Sequence, residues 1–140
     1  MTADRHSGRT GAARRGAWRR GRMAEALCAL SLVLRGYRIV ARRLRCPLGE
    51  IDIVARRGRV LAIVEVKARA TRRAALEAVG ARQRRRLIRA TQWLVAGRTD
   101  LAALDIRFDV MLVVPWRVPE HLIGAWRADD EPLDRGHVSF

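Results

Sequence analysis

Lysine is almost missing from this chain: of 29 basic residues, 28 are arginine and one, Lys67, is lysine. The two cations are near-equivalent on a wet surface but not beside a carboxylate or an activated water, where a compact point charge is wanted. The one retained ammonium is therefore a position to follow. Cysteine is also scarce. Cys28 and Cys46 lack C-x-x-C spacing, which argues against a disulfide scaffold and fits a reducing, cytoplasmic setting. No uninterrupted apolar run approaches the roughly 18 residues a bilayer crossing needs, which excludes a transmembrane helix. His6, His121 and His137 are too dispersed for a zinc site, and no zinc finger, base-reading helix or internal repeat is visible.

What is present is a chain of 140 residues, enough for one core. A hydrophobic fraction of 49% beside 31% charged residues is globular rather than disordered. The net charge of +15 attracts polyanions before any specific contact forms. Nucleic acid leads the list of partners. An anionic membrane fits less well, because the basic N-terminal segment has no apolar anchors.

Residues 1–20 read as a flexible basic arm, too polar and aperiodic to build a core. The main domain is expected over 21–127, and 128–140 form an acidic tail expected to fray. Met23, Leu27, Leu30 and Leu34 recur at helical spacing before Gly36, which predicts a first helix with that stripe facing the core. Glu25 inside the run and the lack of a small-x-small cleavage site speak against a secretory leader.

Alternation over 37–44, 50–56 and 60–68 predicts three strands, with Arg57-Gly58 turning the second into the third. Helices follow over 74–79 and 81–96, the second carrying Leu87, Ala90 and Leu94 on one face. A strand from Ile106 ends at Pro115, and a short strand is expected over 121–126. The expected architecture is an α/β fold, a mixed sheet flanked by helices.

Period-two geometry puts Glu65 and Lys67 on one face of the third strand, and the hairpin brings position 52 near position 65. Two carboxylates and an ammonium then converge, a set suited to phosphodiester hydrolysis. Carboxylates hold Mg²⁺ or Mn²⁺ while water completes the coordination, and the cation acidifies a water and offsets phosphate charge. Lys67 is placed to hold that water or to stabilise the same charge. Duller readings stand beside this one. Glu65 and Lys67 also fit a solvated ion pair, and Asp52 an outward polar position on a half-exposed strand.

The blocks Gly49-Glu50-Ile51-Asp52-Ile53-Val54-Ala55, Val64-Glu65-Val66-Lys67-Ala68-Arg69, Gln83-Arg84-Arg85-Arg86-Leu87 and Arg107-Phe108-Asp109-Val110 resemble the signature of the YraN family of bacterial proteins. That family is similar to the archaeal Holliday-junction resolvases and the PD-(D/E)xK restriction-endonuclease-like superfamily. The resemblance runs from about Gly21 to Val114. It implies a restriction-endonuclease-like fold and a Mg²⁺- or Mn²⁺-dependent endonuclease with no small-molecule cofactor, acting on structured nucleic acid with DNA ahead of RNA. The alternative is an adaptor that keeps the fold and charge without turnover.

By position, the resemblance makes Asp52 and Glu65 metal-binding carboxylates, Val66 a carbonyl ligand and Lys67 the motif lysine. It matches Glu25 to an extra acid from the first helix and Gln83 to a polar residue behind the motif. Ile51 stands where the superfamily nominally has proline, and Arg84 where the family often has lysine. Resolvase-like enzymes act as dimers, so a homodimer is also implied.

Glu25 fits equally well as an acid favoured by its helix N-terminus. Glu50 reads better as a turn cap than as a ligand, and Asp109 as a partner of Arg107. Arg82, Arg84, Arg85, Arg86 and Arg89, with Arg72 and Arg73, exceed what solubility requires and are expected to contact phosphates. Trp93, Trp116 and Trp126 read as core fillers, leaving Trp18 in the arm as the candidate base stacker.

Overall fold

The computed structural model of the protein describes residues 6–130. Helix α1 (His6–Leu34) leads into strands β1 (Arg38–Cys46), β2 (Gly49–Arg57) and β3 (Val60–Ala68). Helices α2 (Arg72–Glu77), α3 (Ala81–Gly97) and α4 (Thr99–Ala102) follow, then β4 (Asp105–Val113) and β5 (Glu120–Trp126). The strands form one mixed sheet in the order β1-β2-β3-β4-β5. Only β3 and β4 run parallel, and α2 to α4 supply the long crossover that a parallel pair requires.

The two faces of β3 feed two cores. Leu61 and Ile63 pack with Leu87, Ala90 and Leu94 of α3, and Ala62 and Val64 pack with Cys28, Ala29 and Leu32 of α1. The expected apolar face of α3 is therefore the buried one. With helices on both sides, β3 is buried from Leu61 to Glu65, as a central strand should be.

Helix α1 departs from the sequence reading twice. It begins at His6, so residues 6–20, read as an arm, are continuous with it. Ala12, Ala13, Arg15 and Arg20 are among the strong helix formers that carry it through this segment. Its packed face is also not the expected one. Ala24, Cys28, Ala29 and Leu32 are buried, whereas Met23, Leu27, Leu30 and Leu34 are 65%, 49%, 56% and 79% exposed. Small side chains let the helix lie close on the sheet, and the larger apolar stripe is left outward. The end of α1 is as expected: Gly36 adopts φ +88, and Gly36 and Tyr37 donate back to Val33 and Leu32, at 3.0 Å each. That is a glycine-closed Schellman arrangement.

Long as it is, α1 is not apolar, and no described helix is long and apolar enough to cross a membrane. Of the tail, Ala128–Asp130 form a short 3-10 turn. Residues 1–5, 131–140 and the side chain of Trp18 lie outside the description, so the stacking role expected of Trp18 falls there too.

Candidate active site

The hairpin register aligns Ile53 with Val64 and Ala55 with Ala62, so Asp52 comes opposite Glu65 one step further on. There the regular ladder stops. Ile51 belongs to the α3-side core and Ile53 to the α1-side core, so the two-residue alternation of β2 breaks at Asp52. Its carboxylate replaces the missing main-chain partner, accepting a hydrogen bond from the Val66 N–H at 2.8 Å. The same break lets Asp52 both meet Glu65 and line the groove on the α1 side.

Glu65 is 3% exposed. One of its oxygens, Oε1, lies 2.8 Å from Lys67 Nζ and accepts from Gln83 Nε2 at 3.1 Å. The other, Oε2, is buried with no donor. It belongs to a carboxylate that interacts directly with the Asp52 carboxyl. Burial, then the Glu65 charge, pushes Asp52 up from 3.8 to about 7, against the opposing pull of the Val66 N–H and Lys67. Two acids held this close leave room for a proton or a cation between them.

Asp52, Glu65, Lys67 and Gln83 are thus brought together from β2, β3 and α3. Glu25 stands in the same groove, 6% exposed, but its carboxylate is occupied. Arg43 Nε lies 3.0 and 3.1 Å from its two oxygens and Arg42 Nε 3.3 Å from one. Among the described residues no three His, Cys, Asp or Glu side chains gather as a metal cluster. The acid expected to come from the first helix is paired with arginine instead. Arg43 reaches it from a left-handed backbone, φ +47, a conformation that local sequence does not announce.

The groove has a volume of about 870 Å³. Arg20, Arg22, Arg43, Arg45 and Arg69 line it with Met23, Leu27, Val113 and Pro115, so basic and apolar walls meet over Asp52 and Val66. Cys28 lies beneath, its thiol pushed up to about 12 by burial and by the Asp52 and Glu25 charges. That makes it an inert core residue rather than a nucleophile.

The arginines divide. Arg82, Arg86 and Arg89 are exposed on one face of α3, and Arg84 and Arg85 are partly buried. Arg72 and Arg73 are engaged by acids, Arg72 with Glu120 at 2.8 Å and Arg73 with Glu77 at 3.0 Å. Their charge is locally offset. Glu50, read as a turn cap, has Oε2 3.6 Å from Arg45 Nε.

The tryptophans also divide. Trp126 is a core residue, 5% exposed and stacked on Phe108 at 5.4 Å. Trp93 is 46% exposed and Trp116 entirely so, which corrects their reading as core fillers. Trp116 follows the proline that ends β4, and a strand pattern does not extend into such a turn.

Asp109 does pair with Arg107, at 2.7 and 2.8 Å, and it also accepts from the Gly124 N–H at 2.9 Å. His121, left without a role by its isolation in sequence, has Nε2 2.7 Å from the same carboxylate. Burial alone would raise Asp109, but the hydrogen bonds from His121 and Arg107 hold it below the usual range. The register of β4 on β5 is what joins these groups.

The fold and this cluster define a mixed α/β protein with a carboxylate pair, a lysine and a glutamine at the edge of a basic groove. The chain belongs to the uncharacterised protein family UPF0102, whose model matches residues 24–113. That span includes Glu25, Asp52, Glu65, Lys67 and Gln83. The UPF0102 protein of Parvibaculum lavamentivorans is 58% identical over 111 residues, 79% of this chain and 84% of that one. The relative from Maricaulis maris is 50% identical over 122 residues, 87% and 96% of the two chains. That from Sinorhizobium fredii is 45% identical over 126 residues, 90% and 100%.

Proposed function

We propose that this protein is a nucleic-acid-binding, divalent-metal-dependent endonuclease that hydrolyses phosphodiesters in structured DNA, as the resolvase-like resemblance implies, in the cytoplasmic setting that its scarce, unpaired cysteines fit. The observation that carries the reading is the buried Glu65 carboxylate, with Lys67 and Gln83 both on Oε1 and no N–H donor on Oε2, set against the Asp52 carboxyl. Two buried carboxyls facing each other are poorly matched unless a proton or a cation lies between them. Hard oxygen donors of this kind suit Mg²⁺ or Mn²⁺, with water filling the positions that two carboxylates leave open.

Asp52 and Glu65 would hold the cation, with the Val66 carbonyl as a further oxygen. The bound ion would supply an acidified water and charge neutralisation at the phosphate. Lys67, its side chain 16% exposed, stabilises negative charge on the phosphoryl oxygens as water attacks phosphorus and the P–O bond to the leaving strand breaks. Gln83 holds Glu65 in place from behind. Arg82, Arg86 and Arg89 hold flanking phosphates by charge, independent of base sequence.

One observation favours the adaptor reading: Glu25 is paired with Arg42 and Arg43, leaving two carboxylates rather than three for a cation. A cleavage assay separates the two. Labelled single-stranded, duplex, flapped and four-way-junction DNA, and RNA, are incubated with Mg²⁺, Mn²⁺ or chelator, beside Lys67→Ala and Asp52→Asn. The endonuclease reading predicts metal-dependent cleavage that falls at least about 100-fold in both variants while binding persists. Salt-sensitive binding with no cleavage by the wild type would select the adaptor.

A further inference from the structure

We propose that Trp116 is a base-stacking residue that directs the groove to nucleic acid with an unpaired nucleotide beside the duplex, such as a flap, overhang or junction. This rests on the nucleic-acid reading above and narrows its substrate class.

Trp116 combines two unfavourable features at one residue. Its relative exposure is 103%, so the largest apolar side chain stands in water although Trp126 of the same chain is buried. Its backbone adopts φ +65, a region that favours glycine and is a genuine outlier for a bulky residue. Strain of this kind persists where the surroundings impose it, and it concentrates at ligand-contacting sites. Here Pro115 and Pro119 bracket the turn, each with a fixed φ, and the Arg117 N–H closes it on the Val114 carbonyl at 3.3 Å. The indole is thus presented on a short, stiff support.

Its position supplies the occupant. Pro115, the preceding residue, lines the groove with Asp52, Val66 and Arg69, and Arg117, the following one, is exposed. An exposed indole beside a basic groove, in a chain of net charge +15, suits a partner that is both planar and anionic. A nucleotide base attached to its phosphate has that chemistry, and base-on-indole stacking tolerates any sequence. Bases inside a duplex are already stacked on each other and would gain nothing from Trp116. Only an unpaired base would.

The test compares wild type, Trp116→Phe and Trp116→Ala by fluorescence anisotropy, in chelator so that nothing is cut. The ligands are a blunt DNA duplex and the same duplex with a single-stranded flap carrying 2-aminopurine next to the junction. With no buried contact at this position, the variants leave the core intact. The expected result is tighter wild-type binding to the flapped duplex, with 2-aminopurine quenched. Trp116→Ala should lose about five- to one-hundred-fold on the flapped duplex and little on the blunt one, with quenching gone. Trp116→Phe should keep part of both. Unchanged flap affinity and quenching in Trp116→Ala would overturn the stacking role and leave nucleic-acid binding standing. Failure of the wild type to bind either ligand would overturn both.

Discussion

At the residue scale, two carboxylates are held close enough to oppose each other. Asp52 is raised to about 7 from 3.8, so its ionisation opposes folding when no cation is present. The folded value lies above the unfolded one. Its contribution is therefore fully favourable below about pH 3.8 and is lost as pH rises through about 7. In Asp52→Asn the side chain can still accept from the Val66 N–H, and its amide can donate towards Glu65. In chelator this variant should be more stable than wild type by about 1–3 kcal/mol at pH 8. The gap should open from about pH 4 and be complete above about 7, as read by urea denaturation at a series of pH values. A variant less stable than wild type at pH 8 would count against the repulsion. The meeting of Asp52 and Glu65 was legible in the sequence, because a hairpin turning at Arg57-Gly58 fixes which residues face each other. The capture of Glu25 was not, because it depends on Arg43 taking a left-handed backbone, φ +47.

At the scale of elements, strands and helices followed their periodicities closely, from the hairpin to the buried Leu87, Ala90 and Leu94 of α3. Helix α1 is the exception. Hydrophobic spacing weights large side chains, and Met23, Leu27, Leu30 and Leu34 make the more conspicuous stripe. Close approach to a sheet favours small ones, and Ala24, Cys28 and Ala29 with Leu32 form the face that packs. The two faces predict opposite outcomes for one substitution. Leu32→Ala, at a fully buried position, should cost about 2–5 kcal/mol. Leu30→Ala, on the exposed stripe, should stay within about 0.5 kcal/mol. Equal losses in chemical denaturation would place the stripe against the core after all. The polar cluster joining β4 to β5 is illegible in the sequence for a different reason: Asp109, His121 and Gly124 meet only through strand pairing, which no local pattern encodes.

At the scale of the whole molecule, the excess of arginine is the dominant electrostatic fact, but its parts are not equivalent. Arg72 and Arg73 are matched by Glu120 and Glu77, whereas Arg82, Arg86 and Arg89 form an exposed row on α3. That helix stands close to the start of β2, for the Arg86 Cβ lies 3.9 Å from where a Cβ on Gly49 would stand. Replacing Arg82, Arg86 and Arg89 with alanine should weaken DNA binding alike for unrelated sequences. It should also flatten the slope of log affinity against log salt by roughly 2–3 units. Alanine at Arg72 and Arg73 should change that slope much less. Composition alone could count the arginines but could not separate the matched from the exposed, since the matching acids lie 48 residues away in one case and four in the other.

The central claim, that Asp52 and Glu65 are set together for a divalent cation, is tested most directly by titrating Mn²⁺ into metal-free wild type and Asp52→Asn at pH 8, by calorimetry and thermal melting together. Wild type should bind one Mn²⁺ with a rise in melting temperature. Asp52→Asn should begin from the higher melting temperature and give neither response. Absence of any response in wild type, or an equal response in both proteins, would contradict it.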